Sequence, residues 1–277
     1  MSQHSFYVHD TEVYLEGRGS HTIVMLHGWP DTYRLWDGMV AALAPQYRCV
    51  RFTLPGFETP APGKTRTLAE MTAQLLAIVD TVSPTQPVTL LLHDWGCIFG
   101  YELAMRHPER VNRIVGIDIG DHNAGAYLKA LSGTQKLQIL GYQFWLAAAW
   151  GMGMLGAEGL ADGMTRWMAR TMRCPTPPAA MHWRMNTPYA MAWLGTAGGL
   201  RGTLPVRPHC PVFYAYGKRK PFMFHSPRWL TTLAEQPDNL VLGFQSGHWV
   251  MVQQADALHT AVRQWLESPR NRPSSWV

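Results

Sequence analysis

The chain has no serine in a Gly-x-Ser-x-Gly setting, no Cys-x-x-Cys pair and no charged residue anywhere in residues 137–157. The first absence removes the serine hydrolases from consideration. The second leaves Cys49, Cys97, Cys174 and Cys210 far apart, with neither a zinc site nor a disulfide framework in prospect. Reduced thiols in an intracellular protein follow. The N-terminus, MSQHSFYVHD, lacks the basic and then apolar stretch of a secretory signal, so the cytoplasm is the expected location. Residues 137–157 invite comparison with a membrane span, but two glutamines, four glycines and a mid-chain position favour a pair of apolar helices that cover something. Charge is sparse as well. Only 16% of residues are charged against 47% hydrophobic, a composition that excludes a disordered chain. The net charge of +5 is scattered, with Lys218-Arg219-Lys220 its densest cluster, so nucleic acid is not an expected partner. No cofactor is implied, and nothing in the sequence reports an oligomeric state.

What is present is an alternation. Apolar, β-branched runs (HTIVMLHG, YRCVRFTLPG, PVTLLLHD, VNRIVGIDIG) alternate with helical patterns, and the rhythm resumes with CPVFYAYG and NLVLGFQSG. This pattern predicts an α/β fold with a mostly parallel, doubly wound sheet and helices on both faces. FYVHDTEVYLEG reads as an antiparallel hairpin at the sheet edge. Residues 121–208, rich in Trp, Met and Gly, have helical spacing and no strand pattern. They read as a helical lid inserted into a core made of residues 1–120 and 209–277. The tail SPRNRPSSWV reads as loose.

In such a sheet, functional groups gather beyond the carboxyl ends of the strands. Asp94 stands there, at a strand-to-helix turn laid out like a nucleophile elbow, with Gly96 and Gly100 supplying small residues behind it. Leu92 is large where a small residue is usual, which predicts a strained or shifted turn. A carboxylate nucleophile has a chemical meaning: its attack on a saturated carbon leaves an ester that water can cleave, whereas a serine would leave an ether. A helix-capping Asp is the plain alternative. His27-Gly28-Trp29-Pro30 follows another strand, and Trp29 and Trp95 are the residues whose N–H groups would form an oxyanion hole. His248, after the last strand, is placed for the general base. Cys97 reads as a small packing residue.

HGWPDTYRLW, LPGF, HDWG, PERV and GHWV, in this order, resemble the α/β-hydrolase superfamily, and HDWG resembles its epoxide hydrolase and haloalkane dehalogenase branch. The resemblance spans most of the core and is loose over the lid. It implies a nucleophile–base–acid triad, yet the loop that often carries the acid reads Gly217-Lys218-Arg219-Lys220, with a lysine in its place. The branch's other location, the end of the strand after PERV, offers Asp118, with Asp121 in reserve. Family members open epoxides with lid tyrosines, which implies Tyr142 and Tyr189, with Tyr127 as a spare and Trp183 as an alternative to the second. Halide binding would instead draw on indole N–H groups. Trp145, Trp150, Trp167 and Trp193 could supply them, though their spacing is more simply that of core and pocket lining. Trp29 stands where one dehalogenase class has its halide-binding Asn, which favours the epoxide. The implied activity is hydrolysis of a small hydrophobic epoxide to a vicinal diol through an ester on Asp94. A haloalkane dehalogenase, or a ligand-binding scaffold that has lost activity along with the usual acid, remain the alternatives.

Overall fold

The computed structural model describes residues 3–57 and 65–268. The strands are β1 (His4–Val8), β2 (Thr11–Glu16), β3 (Thr22–Leu26), β4 (Arg48–Phe52), β5 (Val88–His93), β6 (Val111–Ile117), β7 (Val212–Gly217) and β8 (Leu240–Phe244). They form one sheet in the order β1-β2-β4-β3-β5-β6-β7-β8. The edge hairpin β1–β2 runs antiparallel, as its alternation predicts, and meets β4 antiparallel; the remaining pairs are parallel.

The central strands are buried on both faces, which explains their continuous apolar reading. All six residues of β5 are buried. Successive side chains point to opposite faces: Val24, Leu26, Leu90 and Leu92 enter one apolar cluster, while Ile23, Met25 and Leu91 enter the other. The crossover helices α1 (Asp37–Leu43), α2 (Leu68–Val82) and α3 (Trp95–Arg106) cover these faces. α2 begins with a reciprocal capping box between Thr67 and Glu70, which satisfies two otherwise orphaned amides.

Between β6 and β7 the described chain is helical, with α4 (Gly125–Ala130), α5 (Gly133–Met154), α6 (Glu158–Thr171) and α7 (Thr187–Leu194). The charge-free stretch is not a pair of helices. α5 is one helix of 22 residues, opened by a Ser132–Gln135 capping box. Its internal glycines each cost about 1 kcal/mol of helix propensity. Packing against α6 and α7 outweighs that loss. No helix among the described residues is long and apolar enough to cross a membrane. The fold closes with α8 (Pro227–Ala234), α9 (Val250–Gln253) and α10 (Ala255–Glu267). All but the first residue of the tail SPRNRPSSWV lies outside the described residues.

Candidate active site

β5 delivers Asp94 to the site in a conformation few residues tolerate, with φ 51° and ψ −124°. A non-glycine residue held there stores about 1–3 kcal/mol of strain, which the surrounding structure must offset. The expected turn is present and strained, and the bulk of Leu92 is accommodated from across it: a methyl on Gly100 would lie 2.4 Å from Leu92 Cδ2. The loop after β3 presses on the same turn. A methyl on Gly28 would lie 2.4 Å from Asp94 Cβ and 2.5 Å from the Trp95 nitrogen. That closeness lets the Trp29 N–H donate to Asp94 Oδ1 at 2.7 Å. Trp95 opens α3 at the same turn.

His27 holds this loop. Its Nδ1 donates to the Gly28 carbonyl at 2.8 Å, and its Nε2 accepts the Leu54 N–H at 2.8 Å. Burial lowers the imidazole to about 4, with Gly28 and Asp94 opposing, so the ring is neutral and its tautomer follows from its partners. The HGWP and LPGF motifs are thereby joined.

His248, in the turn after β8, reaches both carboxylates. Its Nε2 lies 3.3 Å from Asp94 Oδ2, and its Nδ1 donates to Asp118 Oδ2. Burial would lower this imidazole, but the charge and hydrogen bond of Asp118, followed by those of Asp94, raise it to about 9. Burial would raise Asp94, but the hydrogen bond and charge of His248 and the Trp29 amide hold it below the usual carboxylate range. Asp118 behaves likewise, held well below that range by Lys220 and His248. Four charged groups, Asp94, Asp118, His248 and Lys220, thus share one buried site.

Asp121 does not join them. It accepts the Ser226 N–H at 2.7 Å and hydroxyl at 2.6 Å at the start of α8, a structural task. Lys220 lies in the acid's usual loop and donates to Asp118 Oδ1, which also accepts the Gly217 N–H at 3.0 Å. The lysine that stands in the acid's usual loop is the partner of the Asp118 carboxylate, at the end of the neighbouring strand.

Two further buried groups lie beneath the imidazole. His93 donates from Nε2 to the His248 carbonyl at 3.2 Å, while its Nδ1, 4.0 Å from Asp31 Oδ2, has no hydrogen-bond partner among the described residues. Burial, aided by the charge of His248, lowers His93 to about 3 and keeps it neutral. Asp31 accepts from the Thr176 hydroxyl and, at 2.9 Å, from the Trp249 indole. Burial nevertheless raises it to about 6. Sequence patterns give no sign of this pair, because HDWG and HGWPD do not show that His93 and Asp31 face each other.

A cavity of about 690 Å³ opens onto Asp94 and His248, with Trp29, Tyr142, Tyr189 and Phe224 in its wall. The two phenol rings are 6.1 Å apart and edge to face, and Tyr189 also packs edge-on against Trp95 at 5.2 Å. Burial and the nearby Asp94 charge raise both phenols, and a hydrogen bond from Gln143 opposes the shift at Tyr142. Tyr127 is buried away from this wall, and Trp183 packs against Trp150. The pocket-lining expectation for the tryptophans is wrong. Trp145, Trp150, Trp167 and Trp193 are absent from the wall, and Trp145 and Trp167 meet each other on the exposed surface at 5.0 Å. Trp193 is exposed as well, whereas Trp150 is half-buried, packing edge-on against Trp183 and donating to Thr187 at 3.2 Å, as a core residue does. Cys97 is buried, and burial pushes its thiol far up.

The fold and the strand-end site define an α/β hydrolase, and the sequence agrees. A family model described as alpha/beta hydrolase fold matches residues 21–253, so the chain belongs to that family. A Mycobacterium tuberculosis protein described as a probable oxidoreductase, EphD, is 37% identical over 106 residues, 37% of this chain. The match spans 18% of the length of that relative. A cis-3-alkyl-4-alkyloxetan-2-one decarboxylase of Xanthomonas campestris is 26% identical over 275 residues, 88% of each chain. A solved Bacillus megaterium epoxide hydrolase in complex with an inhibitor superposes with a TM-score of 0.70 at 17% identity, covering 96% of this chain and 100% of the other. At that identity the likeness is one of fold.

Proposed function

We propose that the protein hydrolyses a hydrophobic epoxide to a vicinal diol through a covalent ester on Asp94, with residues 121–208 as the lid that completes the pocket. The observation that carries this reading is the pair of phenols, Tyr142 and Tyr189, in the wall of the same cavity as Asp94 and His248. An opening epoxide develops an alkoxide, and donors aimed at that oxygen are what the reaction needs. A departing halide would need free indole N–H groups, and here the Trp29 indole donates to Asn186 at 2.7 Å.

In the first step Asp94 attacks a ring carbon. The C–O bond breaks, and the oxygen takes a proton from the tyrosine pair. Asp94 is then an ester and carries no charge, so His248 loses one of the two anions that hold it up to about 9. Its affinity for a proton falls as a base is required, and its extra proton passes to solvent. His248 then takes a proton from water. The oxygen adds to the Asp94 carbonyl carbon, and the oxyanion is held by the Trp29 and Trp95 amides. Collapse of this adduct expels the diol oxygen, which takes the proton from His248; the carboxylic acid proton left on Asp94 and one drawn from solvent then restore the phenol and the imidazolium. Asp118 stabilises the imidazolium throughout. The net reaction is epoxide plus water to diol, and the mainly apolar wall suits an apolar substrate.

A second electrophile is favoured by the Xanthomonas relative, which aligns over 88% of both chains: a four-membered lactone, strained as an epoxide is, would offer Asp94 a related ring opening.

The test is His248→Gln incubated with epoxide, haloalkane and β-lactone panels, followed by intact mass and peptide mapping. An adduct equal to a whole epoxide on the Asp94 peptide supports the reading. An alkyl adduct lacking halogen would make the protein a dehalogenase, and carbon dioxide released only from lactones would make it a decarboxylase. No adduct in a folded protein would move the assignment to a binding role.

A further inference from the structure

We propose that Lys220 is a positioning residue of this site, one that clamps Asp118 Oδ1 so that Oδ2 faces His248 and whose fixed positive charge limits how tightly His248 holds its proton. The inference rests on the reading of His248 as the base that serves Asp94.

The geometry is specific. The Lys220 side chain is 6% exposed and Asp118 fully buried, so their ion pair is shielded from solvent. The ammonium sits 5.3 Å from the centre of the Phe224 ring, whose edge-to-face contact with His248 is at 5.7 Å. Asp118 is itself at φ 73°, a left-handed conformation uncommon for a residue with a side chain. With Gly217 N–H and Lys220 both on Oδ1, the carboxylate cannot rotate without breaking two bonds to a charged acceptor, and Oδ2 is left for the imidazole.

The charges around the pair can be followed element by element. Asp118 is faced by His248 after β8, Lys220 after β7, Tyr214 within β7 and His93 at the end of β5. His248 is faced by Asp94 and His93 from the β5 end, by Asp118 from the β6 end and, through Trp249, by Asp31 from the loop after β3. His225, ahead of α8, lies near Lys220; burial and that lysine's charge lower it to about 4, with Asp118 and Asp121 opposing, so it is neutral and bonded to Tyr214. Lys220 is therefore the fixed cation that offsets Asp94 and Asp118. Without it two buried carboxylates face a single imidazole, which then binds its proton more tightly. A base that releases its proton only in strong alkali would stall the ester at neutral pH.

The test measures the His248 titration by NMR, assigned by its loss in His248→Gln, in the wild type, Lys220→Met, Lys220→Gln and Lys220→Arg. The Gln variant keeps a donor to Oδ1 and removes only the charge. Met and Gln should both raise the midpoint by about one unit or more, and Arg should leave it within a few tenths. With an epoxide substrate, the acidic limb of the turnover profile should move to higher pH by the same amount. An unchanged midpoint in folded Met or Gln variants overturns the proposal, even if their rates fall. Should neither fold, the wild type still decides: the Lys220 Nζ resonance must step at the His248 midpoint, and a flat Nζ shift overturns the coupling. The NMR readouts need no substrate, so failure of the epoxide assignment would leave them intact and be recognised separately.

Discussion

The proposed reaction depends first on Asp94 and His248, whose protonation states are tied to each other. With His248 raised to about 9, the resting site pairs an imidazolium with two carboxylates at neutral pH. Asp94→Asn removes one of those anions. Its His248 midpoint should therefore fall below the wild-type value, by about one unit or more, when followed by NMR; a midpoint at or above wild type would contradict the pairing. The phenols are the second residue-scale claim. Single Tyr142→Phe or Tyr189→Phe changes should slow ester formation by about 10²-fold, and the double variant should reduce it to background, as expected when a transition-state donor is removed. Stopped-flow tryptophan fluorescence would follow this step. An unimpaired double variant would take the tyrosines out of the mechanism.

At the scale of elements, the β5–α3 turn is where a local rule is broken and repaired nearby. Leu92 is larger than such a turn usually accepts, and Gly100, one α3 turn beyond Gly96, makes room for it. Gly100→Ala should destabilise the protein by about 1–3 kcal/mol through overpacking. Leu92→Ala should also destabilise it, yet the double variant should lose clearly less than the sum of the two in urea unfolding, because the second change removes the clash introduced by the first. Much of this level was legible in the sequence. Alternating apolar runs marked the strands, and order along the chain placed Asp94, Asp118 and His248 beyond the carboxyl ends of β5, β6 and β8. Three things were not legible. The glycines of α5 suggested a break, because local propensity omits the packing on α6 and α7 that holds the helix straight through. The periodic tryptophans suggested a lined pocket, because spacing defines a face but not which way it points. Lys220 looked like a lost acid, because a linear motif cannot show that its ammonium meets a carboxylate from the neighbouring strand.

Across the whole molecule, the helical segment between β6 and β7 is tied to the sheet by a few buried polar bonds. Asn186 accepts from the Trp29 indole at 2.7 Å and donates to Thr165 at 2.7 Å, joining the loop after β3 to α6 and standing next to the helix that carries Tyr189. Thr176 adds a hydroxyl bond to Asp31 in the same loop. Asn186→Leu leaves buried donors and acceptors unpaired, which costs about 1–3 kcal/mol. Hydrogen exchange should show α6 and α7 opening more readily while β5 and β6 keep their protection, and ester formation should slow more than ester hydrolysis. Equal loss of protection in the sheet would mean that the helical segment and the core unfold as one unit. The outer face of that segment, with Leu137, Phe144 and Trp167 exposed, takes no part in these ties.

The central claim, an ester on Asp94 cleaved at its carbonyl, is tested most directly by one turnover in ¹⁸O-labelled water with enzyme in excess over an epoxide that it consumes. Water attacking the Asp94 carbonyl leaves its oxygen in the carboxylate, so the first diol should contain only unlabelled oxygen and the Asp94 peptide should gain the heavy isotope. A first-turnover diol carrying ¹⁸O, with Asp94 unlabelled, would mean that water opens the ring directly and that Asp94 is not the nucleophile.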